Sequence, residues 1–367
     1  MHTNTSVTSF PYRLYTKIRS KMKVHHPTSI VQALHTMVGN QVESYLDSKQ
    51  LRRAPSTPKQ IHMSVTDRCF LPCLHCDIWK NTAEDLPTEH WIKVIDDLSS
   101  WLGNPSINFV GGEPLLRSDL ETLIRRAKSQ HATVSCNTNG WLVTPSRAKS
   151  LAQSGIDLVY VSLDGHSEKT VDHSRGKEGS FQKAIQAIEL LQEAGVSVMV
   201  ASVLHAQNAE EMIDVLQFVE DKHMGLIMQP LYQNFGNVQY DKDWWRKSSM
   251  FPKTEKELEI MDRVLDKLSI AQMKGRKILN DPKQLQAMKY YFRHPMSDIG
   301  ISCRAGHTDL SFDPQGRIRL CYFLEPIGSI FQQESISDIW FAQTTLQRRW
   351  EVSRCTRSCS MLNCNFA

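Results

Sequence analysis

Three cysteines lie within eight residues, in the stretch Cys69-Phe70-Leu71-Pro72-Cys73-Leu74-His75-Cys76. Three thiolates hold three irons of a cubane [4Fe–4S] cluster and leave the fourth iron open. An open metal position binds a substrate or cofactor, whereas a site with four cysteine ligands is closed and serves structure or electron transfer. Two plainer readings compete, a zinc knuckle and three buried thiols. Zinc needs a fourth Cys or His at short range, and His75 sits between two of the cysteines, too close to serve easily. Spacing favours the open iron–sulfur site and leaves the other two standing.

A second set of cysteines begins near residue 303. Cys303 and Cys321 bracket Asp313-Pro314-Gln315-Gly316, a turn between short predicted strands Thr308–Phe312 and Arg317–Tyr322. Such a hairpin brings the two thiols close. Cys355, Cys359 and Cys364 follow, so five cysteines supply four ligands with one to spare. Two complete Cys₄ clusters would need more, so the expectation is one auxiliary [4Fe–4S] cluster; a Cys₄ zinc site fits the same pattern. Cys136, at the end of a predicted strand, reads as a small buried hydrophobe. The total of nine is odd, and the chain opens on a polar stretch with no export signal. Metal ligation in a reducing cytoplasm is the expected use of these thiols, rather than disulfides.

The elements that must hold these residues alternate between strand and helix from residue 61. Predicted strands are Ile61–Thr66, Ile107–Val110, Ala132–Cys136, Leu158–Leu163, Val196–Val203 and Leu226–Pro230. Predicted helices are Glu89–Leu102, Ser118–Ser129 capped by Ser118, Pro145–Gln153, Phe181–Glu193 and Ala209–Lys222. Apolar runs such as Asp157–Leu163 read as parallel strands buried on both faces. Repeated βα units imply α/β architecture with right-handed crossovers, and six of them imply a partial (β/α)6 TIM-like barrel, open rather than eightfold. Each motif directly follows a strand: the cysteine loop, Gly111-Gly112-Glu113-Pro114, Asn137-Thr138-Asn139-Gly140 and Asp164-Gly165. The carboxyl ends of parallel strands build the site in such folds, so these motifs are expected at one mouth. Taken singly, Gly-Gly-Glu-Pro and Asp-Gly are ordinary turns and Arg175 an ordinary surface cation; their order and placement together carry the argument.

Four segments follow. Residues 1–60 form a basic N-terminal helical extension, 61–235 the barrel, 236–300 a helical connecting segment, and 301–367 a small cysteine-rich auxiliary-cluster domain. The connecting segment holds Trp244, Trp245 and helices near Glu255–Met273 and Pro282–Phe292, placed to cover the mouth. In the extension Arg13, Lys17, Arg19, Lys21 and Lys23 alternate with Tyr12, Leu14, Tyr15, Ile18 and Met22; the plain reading is a solvated helix, and the pattern also admits membrane-surface contact. With 43 Lys and Arg against 39 Asp and Glu, the net charge of +4 is too small to argue for nucleic acid as a partner. No apolar run approaches a membrane-spanning length.

Cys69, Cys73 and Cys76, the turn Gly111-Gly112-Glu113-Pro114, and Ser162 with Asp164 in Val161-Ser162-Leu163-Asp164-Gly165 resemble the radical S-adenosylmethionine (SAM) superfamily. Arg175-Gly176 and Gly179-Ser180-Phe181 are similar to its peptide-modifying branch, and Cys303…Gly316…Cys321 to the start of the SPASM and twitch domains that carry auxiliary clusters. The resemblance covers about residues 61–235 and 300–367. The tail departs from the full SPASM pattern, because Cys355, Cys359 and Cys364 are too few for its second cluster; that points to a twitch-like or reduced SPASM domain. The resemblance implies an open iron that chelates SAM, whose reductive cleavage gives a 5′-deoxyadenosyl radical able to abstract hydrogen from an unactivated C–H bond. It implies an external reductant such as flavodoxin or ferredoxin, and a peptide or small-molecule substrate. Backbone carbonyls of Gly111 and Gly112, or the Glu113 carboxylate, are expected on the SAM ammonium, and Arg175, helped by Ser162, on its carboxylate. Asp164 or Asn137 is expected on the ribose hydroxyls, His75 beside adenine, and Met228 and Gln229 on the adenine or substrate side. The auxiliary cluster would support oxidation or cross-linking. Two other readings stay open: radical adenosyl transfer or carbon–carbon bond formation on a lipid-like substrate, and a zinc or iron–sulfur binding module without catalysis.

Overall fold

A computed structural model describes residues 57–81, 83–233 and 240–366. The N-terminal helical extension expected over 1–60 lies, through residue 56, outside the described residues, as does the side chain of Cys364. Strand and helix alternate from β1 (Gln60–Thr66) and α1 (Thr88–Leu102) through β2 (Ser106–Gly111), α2 (Leu120–Ser129), β3 (Thr133–Thr138), α3 (Pro145–Gln153) and β4 (Leu158–Ser162). Then come α4 (Glu168–Arg175), α5 (Ser180–Glu193), β5 (Val198–Leu204), α6 (Met212–Asp221) and β6 (Leu226–Pro230). These six strands pair in sequence order and in parallel, as right-handed βαβ repetition requires.

Three features differ from expectation. Strand β4 alternates between buried and half-buried residues rather than being buried on both faces. Its outward residues Val159 and Val161 pack into the core with Ile188 and Leu191, while Tyr160 and Ser162 face the other way. The face that carries Tyr160 and Ser162 is thus only half-buried. Second, α2 starts at Leu120 rather than Ser118. The residues before it form a separate 3₁₀ turn, Pro114–Leu116, and Asp119 rather than Ser118 sits at the N-cap position. Third, α4 was not expected at all. It is polar, with Val171 its one buried aliphatic residue, so it offers no apolar stripe to read. Its ends were legible, since the Ser167 hydroxyl accepts from Thr170 N and Gly176 closes it at φ +67°.

After α7 (Trp244–Lys247), helices α8 (Glu255–Met273) and α9 (Pro282–Arg293) pack on each other. A reciprocal Thr254–Glu257 capping box starts α8. Strand β7 (Asp309–Phe312) then pairs parallel with β1, and β8 (Arg317–Arg319) and β9 (Gly328–Ser329) follow antiparallel. The cysteine-bearing hairpin therefore continues the barrel sheet, giving the order β6-β5-β4-β3-β2-β1-β7-β8-β9. Helices α10 (Ile336–Phe341) and α11 (Gln343–Val352) lead to the C-terminal turns. Asn280 bonds both the N–H and the C=O of Met228 at 2.7 Å, and Gln284 donates to Met361 O at 3.0 Å and Asn363 Oδ1 at 2.7 Å. Two amides thus tie the tail to the middle of β6. Among the described residues, no helix is long and apolar enough to cross a membrane.

Candidate active site

The mouth of the barrel holds a cavity of about 250 Å³. Cys69, Cys73, His75 and Cys76 line it from the loop after β1, and Gly111 and Gly112 from the turn after β2. Asn137, Ser162, Arg175, Gln229 and Tyr232 complete it from the ends of β3, β4, α4 and β6. Its walls come from residues more than 150 positions apart in sequence, brought to one end of a parallel sheet. Burial pushes all three loop thiols up, Cys76 to about 12, while the Arg175 guanidinium works against that rise at Cys73. Iron bound to the thiolates would offset such burial. Among the described residues no three His, Cys, Asp or Glu side chains are gathered tightly enough to chelate one metal ion.

The cysteine loop is held from two sides. Gly112 N donates to Thr66 O and Glu113 N to Arg68 O, both at 2.8 Å. A Cβ on Gly111 would stand 2.2 Å from Thr66 O, and one on Gly112 2.3 Å from Arg68 O. These glycines admit the backbone that launches the cysteine loop. From the other side Leu74 N donates to Ser174 O at 2.9 Å, and a Cβ on Gly176 would meet Pro72 O at 2.4 Å.

Glu113 and Asp164 act behind the cavity rather than on it. The Glu113 carboxylate is turned inward and accepts from Leu115 N at 3.1 Å, Thr138 Oγ1 at 2.8 Å and Asn139 N at 2.8 Å. Burial pushes its carboxyl up to about 7 against these three donors. Of the two groups expected on the SAM ammonium, the turn's backbone is the one that faces the cavity. Asp164 is fully buried and accepts from Arg175 Nη2 at 2.8 Å, Val203 N at 2.9 Å and Ser174 Oγ at 2.9 Å. Its oxygens are spent on Arg175, Val203 N and Ser174 Oγ, so of the pair expected on ribose hydroxyls only Asn137 reaches the cavity. Met228 is fully buried in the core, and Gln229 alone of that pair lines the space.

Four lining groups carry buried polar atoms without hydrogen-bond partners: Asn137 Oδ1, His75 Nδ1, Arg175 Nε and Tyr232 Oη. Burial holds His75 neutral, down to about 4. An acceptor, a neutral imidazole and a cation left unmated around three thiols fit a polar ligand with both charged and hydroxyl groups beside a metal cluster. Sequence reasoning passed over Thr138, Asn139, Trp79, Tyr232 and Gln233, which also line the cavity. Asn139 Nδ2 lies 4.0 Å from Cys69 Sγ. Its signal was present, since the motif Asn137-Thr138-Asn139-Gly140 follows a strand and only its first residue was assigned a role.

The second cysteine set gathers from the chain on either side of β7 and β8. Cys303, Cys321, Cys355 and Cys359 lie close enough to act on one another's charge, and burial pushes Cys303 up to about 11 and Cys359 to about 12. Phe323 N donates to Cys321 Sγ at 3.4 Å. Cys136 is buried in the core.

A model described as the radical SAM superfamily matches residues 63–219. The chain is 25% identical over 315 residues to the PqqA peptide cyclase of Granulibacter bethesdensis, covering 82% of this chain and 79% of that protein. It is 36% identical to the Fe-coproporphyrin III synthase of Methanosarcina barkeri, but over 162 residues, 43% of this chain and 40% of that one. Among solved structures, Streptococcus suis SuiB bound to S-adenosylmethionine has a TM-score of 0.64 at 15% identity, over 93% of this chain and 78% of that one. SuiB bound to the precursor peptide SuiA gives 0.62 at 14% identity, over 92% and 77%. At such identities the structural likeness is one of fold.

Proposed function

The chain belongs to the radical SAM superfamily, and from that premise we propose that it is a peptide-modifying enzyme with an auxiliary [4Fe–4S] cluster. The observation that carries the reading is the cavity, where three thiols and four unmated polar atoms meet at the carboxyl end of a parallel sheet. When bound, the cluster and SAM supply a 5′-deoxyadenosyl radical, which takes a hydrogen atom from an unactivated C–H bond. Cys69, Cys73 and Cys76 hold three irons. Arg175, anchored by Asp164, offers its free Nε edge to the SAM carboxylate. Backbone carbonyls of Gly111 and Gly112 take the ammonium. Ser162 helps Arg175 on the carboxylate, Asn137 takes ribose hydroxyls, and His75 and Gln229 flank adenine.

Cys303, Cys321, Cys355 and Cys359 hold the auxiliary cluster, with Cys364 as the fifth thiol of the set. A reductant of the flavodoxin or ferredoxin class supplies electrons. The peptide reading rests on extent of likeness. The resemblance to a peptide cyclase runs over 315 residues, whereas that to a porphyrin enzyme stops after 162 and so reports the shared core alone. A substrate oxidised or cross-linked across the cavity is the outcome this arrangement supports best.

Anaerobic reconstitution tests the proposal. The protein should take up about eight irons, two cubanes, and release 5′-deoxyadenosine with dithionite and SAM. A Cys73→Ala protein should release none. Zinc uptake without nucleoside release would leave only a metal-binding module. A short peptide encoded beside the gene should stimulate release and emerge lighter by its lost hydrogens. Sedimentation with liposomes that depends on residues 1–46 would point to a lipid-like substrate instead.

A further inference from the structure

One residue belongs to both cysteine neighbourhoods. Tyr232 stands two positions beyond β6, and its side chain lines the cavity shared with Cys69, Cys73 and Cys76. Cys359, Tyr240 and Ser358 surround its hydroxyl. The residue is 5% exposed, and with Cys359, Tyr240 and Ser358 in range its hydroxyl still closes no hydrogen bond of good geometry among the described residues. Buried hydroxyls are seldom left so, because the donor loses its water without compensation.

Its position is fixed. Leu231 N donates to Leu204 O, and Tyr291 Oη donates to Leu231 O, both at 2.8 Å. The ring is caged by Trp244, Phe323 and Tyr291, with centroids 5.5, 5.9 and 6.1 Å away. A caged ring cannot swing its hydroxyl to solvent, so the donor waits for a partner to appear beside it. Protonated, Cys359 is a poor acceptor; as an iron-bound thiolate it is a good one.

We propose that Tyr232 couples the two sites: its hydroxyl donates to the Cys359 sulfur once that sulfur holds iron, while its ring forms the cavity wall on which the substrate lies. The inference rests on the auxiliary cluster proposed above. Hydrogen bonds to cluster sulfurs stabilise the reduced form and raise the potential. Tyr232 therefore makes the auxiliary cluster a readier acceptor for an electron from a substrate held across its ring. No bond to Tyr232 forms or breaks, so it is a positioning residue.

The test uses full-length protein with Cys69, Cys73 and Cys76 all replaced by alanine, which holds only the auxiliary cluster. Its midpoint potential is read by an EPR-monitored redox titration. Tyr232→Phe keeps the caged ring and loses the donor, and should move the potential to more negative values. Replacing Tyr232 with 3,5-difluorotyrosine, a stronger donor, should move it the opposite way. In the holoenzyme, Tyr232→Phe should lower modified product per 5′-deoxyadenosine released several-fold. Potentials unmoved by both replacements at full iron content overturn the coupling and leave the auxiliary cluster intact. If the phenylalanine variant fails to hold iron, an unmoved potential in the difluorotyrosine protein overturns it alone. A triple-alanine protein that takes up no iron removes the auxiliary cluster itself, and the coupling with it.

Discussion

Asp164 and Arg175 form a buried ion pair at 2.8 Å beneath the cavity. Burial alone would raise the Asp164 carboxyl, yet Arg175 beside it, with His75 and the Val203 N–H, brings it down to about 2. Removing one member of a buried pair leaves the other charge uncompensated, at a cost of about 3–5 kcal/mol. Asp164→Asn should therefore lose about 3 kcal/mol in urea unfolding and weaken SAM binding on the order of tenfold, read by equilibrium dialysis, because Arg175 loses its anchor. The buried titrating groups predict two opposite pH effects. His205 is fully buried and held neutral, down from 6.5 to about 3. Its unfolded form gains a proton as pH falls below 6.5 and its folded form does not, so stability drops with falling pH. Glu113 is raised from 4.5 to about 7 by burial. Its folded form keeps a proton that its unfolded form has released, so stability drops as pH rises between those values. Each amounts to about 2 kcal/mol between roughly pH 5 and 6.5. His205→Gln retains an acceptor for Gln207 N and should narrow the gap to wild type as pH falls; Glu113→Gln should narrow it as pH rises. Urea melts of the metal-free proteins at both pH values read the two signs.

At the scale of elements, the cysteine loop is shaped by chain that lies elsewhere in the sequence. Helix α4 presents Ser174 O to Leu74 N, and Gly176 leaves room for Pro72 O. Gly176→Ala places a methyl 2.4 Å from that carbonyl at φ +67°, so the loop must shift. Gly275→Ala, at φ +79° with nothing within 4 Å, carries only the left-handed backbone cost of about 1–2 kcal/mol. The expected outcome is that Gly176→Ala loses most of the iron bound by Cys69, Cys73 and Cys76, while Gly275→Ala loses stability and keeps its iron. Iron per chain and thermal melts separate the two. The contrast also marks what was legible. The three cysteines, the strand ends and the α/β alternation could be read because each is a local pattern. The inward turn of the Glu113 carboxylate and the anchoring role of Asp164 could not, since both depend on which backbone N–H groups arrive from other strands. Helix α4 was illegible for want of an apolar stripe, though its cap and closing glycine were written plainly.

At the scale of the molecule, β1 is the hinge between the two cysteine sets. It feeds the first cysteine loop, pairs with β2 on one side, and pairs with β7 on the other. The sequence suggested a barrel followed by a small separate domain, because a hairpin bracketed by cysteines reads as self-contained. Pairing between strands some 250 residues apart leaves no local trace, so the continuation of one sheet from β6 to β9 had to be seen. That continuity makes a prediction in which the hairpin matters more than its thiols. Ile61, Met63 and Val65 of β1 are fully buried, and removing residues 301–367 would strip its β7 partner along four residue pairs. A bare apolar edge of that kind templates pairing with other chains. It would also free Asn280 and Gln284 from their partners on the tail. The truncated chain 1–300 should therefore aggregate rather than survive as an independent barrel. Full-length protein with Cys303, Cys321, Cys355 and Cys359 replaced by alanine keeps β7 on β1, and should stay monodisperse with about four irons at the first site. Sedimentation velocity and iron content of the two proteins decide the matter. A soluble, iron-loaded 1–300 fragment would show that the barrel stands without its extension, and that β1 tolerates an open edge.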